Sequence, residues 1–167
     1  DLAESDLLRA LELDPRATRA HFALGLVHLE AGAFELAADE FARTIELEPD
    51  RADAHHRRAQ ALAALGRALH ALDHLDRAAE LSPGDPEVLV LRGRIHQELG
   101  HPADAIADYE RALRLGASGW RLDEALGDAL LAAGRKSAAR LHWRRAVEIA
   151  PEEDAERVRE KIRALGE

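Results

Sequence analysis

The chain of 167 residues contains no cysteine, no methionine and no asparagine. Without thiols a cysteine zinc site is excluded, and the residues leave the redox compartment unmarked. Aromatic residues make up only 4% of the chain, against 33% charged. Strands favour β-branched and aromatic side chains, so this alanine- and leucine-rich mixture suits packed helices with solvated faces. No apolar run approaches the roughly 18 residues that span a bilayer. The formal net charge of −9 argues against sequence-independent nucleic-acid binding and against docking on an anionic membrane. Nucleophiles are scarce: the lysines are Lys136 and Lys161, and the serines Ser5, Ser82, Ser118 and Ser137 lie at ends and turns. None of these serines sits in a Gly-x-Ser-x-Gly setting, and no glycine-rich loop could cradle a phosphate. Neither catalysis nor a cofactor is therefore expected. The chain starts at Asp1 and lacks methionine, which reads as a piece of a longer protein.

What is present is a period. "LELDPRA" at 11–17 returns as "IELEPDRA" at 45–52, "AELSPGD" at 79–85 and "VEIAPEE" at 147–153. Pro15, Pro49 and Pro83 stand 34 residues apart, and Pro151 follows after twice that gap, with Ala117 in the intermediate slot. Gly32, Gly66, Gly100 and Gly134 keep the same 34-residue beat at another phase. Each glycine follows a helical run and can take the left-handed conformation that ends it. Each proline closes a second run. The unit is therefore helix A, tight turn, helix B, short turn. Helices A are predicted at about 18–31, 52–65, 86–99 and 120–133, and helices B at about 34–47, 68–81, 102–115 and 136–149. Pro86 and Pro102 fit the first turn of a helix, and Asp85 can cap the helix that Pro86 opens.

These units resemble tetratricopeptide repeats, a family whose 34-residue helix-turn-helix unit is marked by Leu-Gly, a small residue, an aromatic and a terminal proline. The first unit matches with Leu24-Gly25, Ala37, Phe41 and Pro49. The second has Arg58-Ala59, Ala71, Leu75, Ala78 and Pro83; the third Arg92-Gly93, Ala105, Tyr109 and Ala112; the fourth Leu126-Gly127, Ala139, Trp143, Ala146 and Pro151. The resemblance implies an all-α, right-handed α-solenoid of antiparallel helix pairs. The small residues are expected where helix A meets helix B closely, and Phe41, Leu75, Tyr109 and Trp143 between neighbouring units. Thr44 departs from the pattern in the place of a late alanine, and Asp123 in the place of a large residue. The junction "LRLGASGW" uses Gly116 and Ala117 instead of proline, and a bend or added mobility is expected there.

The expected organisation is a half repeat over 1–14, four units over 15–151 (about 18–51, 52–85, 86–119 and 120–151) and a C-terminal capping helix over 152–167. In the half repeat, Ala3, Leu7 and Ala10 fall in phase with Ala37, Phe41 and Thr44, as a helix B without its helix A. In the cap, Ala155, Val158, Ile162 and Leu165 form an apolar stripe. Acids at its start (Glu152, Glu153, Asp154) and bases after them (Arg159, Lys161, Arg163) follow the helix dipole.

His70 and His74 stand four apart, a spacing that can hold a metal, but no Glu follows the first His as in a zinc protease. A polar outer face is the simpler reading, and no metal site is assigned. The adjacent His55 and His56 point different ways, and His28 and His96 are expected to pack on a neighbouring helix. Arg58 and Arg92 stand where the family has the Leu of Leu-Gly. Anion binding is one reading; an ion pair with an acid on a helix B, such as Asp73 or Asp108, is preferred.

By the resemblance, partners bind a concave wall built from helices A. Its positions are Arg19, Phe22, Leu26, Leu29 and Glu30; then Asp53, His56, Gln60 and Ala63; then Glu87, Val90, Arg94, Gln97 and Glu98; then Arg121, Glu124, Asp128 and Leu131. Acids outnumber bases on it, and Phe22 with Leu26 offers an apolar patch. The family's carboxylate clamp of Lys, Asn and Arg is not matched, because its slots hold Phe22, Leu26, Arg57, Glu87 and Leu91. The expected function is a protein–protein interaction scaffold that takes an extended or helical peptide of some basic character. Two other readings are a non-catalytic arm that positions substrate for a larger enzyme, and a homo-oligomer assembled through the open N-terminal edge.

Overall fold

The computed structural model describes residues 2–166, with side chains from Glu4 to Gly166. Among them are ten α-helices and no strand: α1 (Leu2–Leu13), α2 (Thr18–Glu30), α3 (Phe34–Leu47), α4 (Ala52–Ala64), α5 (Ala68–Leu81), α6 (Pro86–Glu98), α7 (Pro102–Arg114), α8 (Trp120–Ala132), α9 (Lys136–Ile149) and α10 (Glu152–Ala164). The A helices α2, α4, α6 and α8 and the B helices α3, α5, α7 and α9 lie where the glycine and proline beats put them. No helix is long and apolar enough to cross a membrane. Contacts divide the chain into two compact units, Asp1–Pro83 and Gly84–Glu167. In the first, each of α1 to α4 packs on the next; in the second, each of α6 to α9 does so. Leu7 and Ala10 of α1 are half-buried, while the side chain of Ala3 lies outside the described residues.

The turn between A and B is built the same way four times. Gly32 has φ 74°, and Gly66, Gly100 and Gly134 lie within a few degrees of it. The chain then folds back, so that Ala33 N–H donates to His28 O at 2.8 Å and Gly32 N–H to Leu29 O at 3.2 Å. This pair of bonds satisfies carbonyls that a helix end otherwise leaves unmet. Asp85 caps α6 by accepting from Glu87 N–H at 2.9 Å. The proline-free junction is shaped by two further left-handed glycines, Gly116 (φ 95°) and Gly119 (φ 125°).

Close approach within three of the four repeats rests on a glycine facing a ring. A Cβ on Gly25 would lie 2.7 Å from Phe41, one on Gly93 2.6 Å from Tyr109, and one on Gly127 closer still to Trp143. The large residues thus lie on helix A of their own unit and do not only fill space between units. Tyr109 also reaches the next repeat, sharing a buried cluster with Leu122, Leu126 and Leu130. In the second repeat the ring is replaced by Leu75 and the glycine by Ala59, both fully buried. The two exchanges compensate in volume, as close packing demands. Thr44 is also fully buried, and its hydroxyl donates to Glu40 O at 3.0 Å, which explains how a polar residue holds an alanine slot.

Gly127→Ala should destabilise the chain by about 1–3 kcal/mol through overpacking against Trp143. Thermal unfolding would show it as a fall of roughly 2–4 °C per kcal/mol. Adding Trp143→Leu, which copies the second repeat, should restore part of that loss; a double variant less stable than Gly127→Ala alone would refute the volume exchange.

Candidate functional site

A polar seam runs between helix A and helix B of each repeat, at a separation of 19 residues in three of the four. His21 Nδ1 lies 2.6 Å from Glu40 Oε2 in the first repeat, His55 Nδ1 3.0 Å from His74 Nδ1 in the second, and His142 Nδ1 2.8 Å from Asp123 Oδ1 in the fourth. The early Asp123 is thus explained by a histidine across the pair. In the third repeat Leu89 takes the A position, and Asp108 instead accepts two bonds from Arg92, at 2.8 and 2.6 Å. The expected Arg92 ion pair is present. Arg58 makes no such pair with Asp73, and its Nε lacks a hydrogen-bond partner. The reason is positional: the slot of Asp108 holds His74 in the second repeat. His74 is also no part of a polar outer face, because it turns inward to His55 while His70 stays exposed.

His55 Nε2 lies 3.0 Å from the carbonyl of Pro49, which can only accept. A neutral His55 therefore presents its Nδ1 lone pair to a proton on His74 Nδ1. Burial, then the nearby Arg58 and His55, push the His74 pKa down to about 4. The folded state thus resists a proton that the unfolded chain accepts near pH 6.5. The stability due to neutral His74 is complete above that pH and is lost as pH falls toward 4. Melting temperatures from pH 7 to pH 5 should drop less in His74→Gln than in wild type. Parallel curves would contradict this account.

The wall positions of the first unit lie on α2 and α4. Arg19, Glu30 and Asp53 are exposed, Phe22, Leu26, Leu29, Gln60 and Ala63 are half-buried, and His56 is buried. Phe22 meets Phe41 edge-on at 5.6 Å, and the Arg51 guanidinium covers its ring at 4.0 Å. Arg51 is fixed by Asp53 at 2.8 Å and by Glu48 at 3.3 Å. The apolar patch is therefore partly roofed by a cation that sequence reasoning missed. Its only signal was the position of Arg51 just before α4. Arg57 donates to Gln60 Oε1 at 3.1 Å.

In the second unit the positions lie on α6 and α8. Glu87, Arg94, Glu98 and Arg121 are exposed, while Val90, Gln97, Asp128 and Leu131 are half-buried. Gln97 is engaged internally, accepting from the Tyr109 hydroxyl at 2.5 Å and donating to Ala125 O at 3.2 Å. Arg121 stacks on Trp120 at 4.3 Å. Glu124 is only 8% exposed. It accepts from Arg157 and, at 2.7 Å, from Lys161 of α10. Asp128 accepts from Lys161 at 2.7 Å and from Trp143 Nε1 at 3.0 Å. These two acids, read as wall residues, are occupied by the capping helix. With them and Asp53 paired internally, the excess of acids on the wall disappears, and with it the ground for preferring a basic peptide.

Burial pushes the Glu124 carboxyl up, but hydrogen bonds from Arg157 and Lys161 outweigh it and hold the group below the usual carboxylate range. A depressed carboxylate stabilises above its unfolded pKa of about 4.3 and loses that contribution as pH falls through the folded value. Glu124→Gln should lower stability at pH 7 by about 1.5–3 kcal/mol, the range for hydrogen bonds to charged groups. The gap to wild type should close on acidification below pH 4. A gap independent of pH would show that the charge of Glu124 does not hold the cap.

The geometry defines an all-α fold of repeated antiparallel helix pairs followed by α10. A tetratricopeptide repeat model matches residues 1–47 and 90–154, and a second tetratricopeptide repeat model matches residues 52–95. The chain belongs to the tetratricopeptide repeat family. It is similar in fold to MamA, at 21% identity and TM-score 0.82 over 87% of this chain and 85% of that one. YrrB, described as a TPR protein with an unusual peptide-binding site, aligns at 21% identity and TM-score 0.83 over 95% and 81%. TTC0263, described as a thermophilic TPR protein in Thermus thermophilus, aligns at 24% identity and TM-score 0.70 over 93% and 86%. At these identities the likeness is one of fold. No curated protein sequence matches the chain.

Proposed function

We propose that the chain is a protein–protein interaction scaffold that engages a peptide or protein segment on the exposed faces of its A helices. The observation that carries this reading is the division of the A helices into two faces. On α6, Val88, Leu89, Leu91 and Ile95 are buried, whereas Glu87, Arg94 and Glu98 are exposed. On α8, Leu122, Leu126, Ala129 and Leu130 are buried, whereas Arg121 is exposed. A helical backbone is already ordered before binding, so only the exposed side chains must be fixed, which favours recognition by a preformed surface. The peptide-binding site named for YrrB supports the same reading by analogy. The exposed wall charges of the second unit are of both signs, so a segment of alternating charge with an apolar anchor fits better than a strongly basic one.

Selection from a displayed random-peptide library tests this. A selected peptide should bind Arg94→Glu, Arg121→Glu at least about tenfold more weakly than wild type, the effect of about 1.4 kcal/mol. It should bind equally well to Arg144→Glu, which alters an exposed residue of helix α9. Loss of binding in Arg144→Glu with the double variant unaffected would move the site to the B helices.

A further inference from the structure

We propose that His96, His101 and Asp104 form a site for one divalent transition-metal ion of the zinc class, at the turn between α6 and α7. One ring nitrogen of each histidine and one carboxylate oxygen of Asp104 lie within 4.8 Å of one another. They are the one such group of three among the described residues. Tetrahedral zinc with bonds of about 2.0–2.1 Å holds its donors roughly 3.4 Å apart, so closure needs movements on the order of 1 Å. His101 and Asp104 are exposed and can make them, while the half-buried His96 serves as the anchor. Two imidazoles and one carboxylate suit zinc and its transition-metal neighbours; calcium and magnesium require oxygen donors.

The turn itself creates the juxtaposition. Left-handed Gly100 returns the chain so that His101 N–H donates to His96 O at 2.8 Å. The two rings come within 6.0 Å, and Asp104 follows in the first turn of α7. Packing does not require these residues, because the other repeats do without them. The slot of His96 holds His28, Leu62 and Leu130; that of His101 holds Ala33, Arg67 and Arg135; that of Asp104 holds Leu36, His70 and Ala138. The triple occurs once.

An independent observation points to a ligand. His96 Nδ1 is buried and has no hydrogen-bond partner. A buried polar atom left unmet is destabilising and calls for an explanation. A metal ion on Nδ1 supplies the partner. Nε2 on the other side of the ring faces Asp108 Oδ2 at 3.9 Å, beyond hydrogen-bond length, because Asp108 is engaged by Arg92. The start of α7 disfavours a cation through its dipole, and the Asp104 carboxylate offsets this.

Calorimetric titration of chelator-treated protein with zinc tests the site. Wild type and His70→Ala should each bind one ion with equal affinity. His101→Ala and Asp104→Asn should each weaken binding by more than about tenfold. The His101 side chain caps no helix, so its removal leaves the fold intact, as circular dichroism would verify. Zinc should also raise the melting temperature of wild type and not of His101→Ala. No saturable binding by wild type, or unchanged binding by His101→Ala, would overturn the proposal.

Discussion

The close contact between a small residue on helix A, a glycine in three of the four repeats, and a large side chain on helix B is the constraint from which the rest of each repeat follows. A hydrogen in place of Cβ at Gly25, Gly93 and Gly127 lets the helix backbone rest on Phe41, Tyr109 and Trp143. Once the ring is seated there, its edge has a fixed destination. The Tyr109 hydroxyl meets Gln97, the Trp143 indole N–H meets Asp128, and Phe41 meets Phe22. Core packing thereby sets the orientation of side chains at the solvent side of the same helix. The second repeat, with Ala59 and Leu75, keeps the spacing without a ring and has no polar edge to place.

Much of this was legible in the residues. Glycine and proline act locally, so their beat located every turn of the A–B pairs and the helices between them. The Asp85 cap and the Arg92–Asp108 pair were legible for the same reason, since each depends on neighbours within one helix pair. Direction on a helix was harder. Glu124 and Asp128 look like surface acids, because a helix position carries the same letter whether it faces water or another helix. The bases of α10 satisfy a helix dipole in sequence, yet Lys161 reaches back across the repeat to both acids. Only the packing of the last helices decides between the two.

The polar seam shows how repeats of one geometry acquire individual character. Glu40, His74, Asp108 and His142 occupy one place on the B helix, and the A helix answers them with His21, His55, Arg92 and Asp123. The offset of 19 residues was present in the sequence, but the pair changes from repeat to repeat, so no single pairing recurs. Arg58 is the residue left over from this variation. It keeps the position of Arg92 without the acid that would pair with it.

The ion pairs between α10 and α8 also constrain what else could pack on this face. A further repeat laid on α8 and α9 in place of α10 would have to supply two cations where Arg157 and Lys161 stand. Without them it would seal Glu124 as an unpaired charge in a dry interface. The partner of this face is thus specified by charge as well as by shape: whatever packs there must bring cations to Glu124 and Asp128.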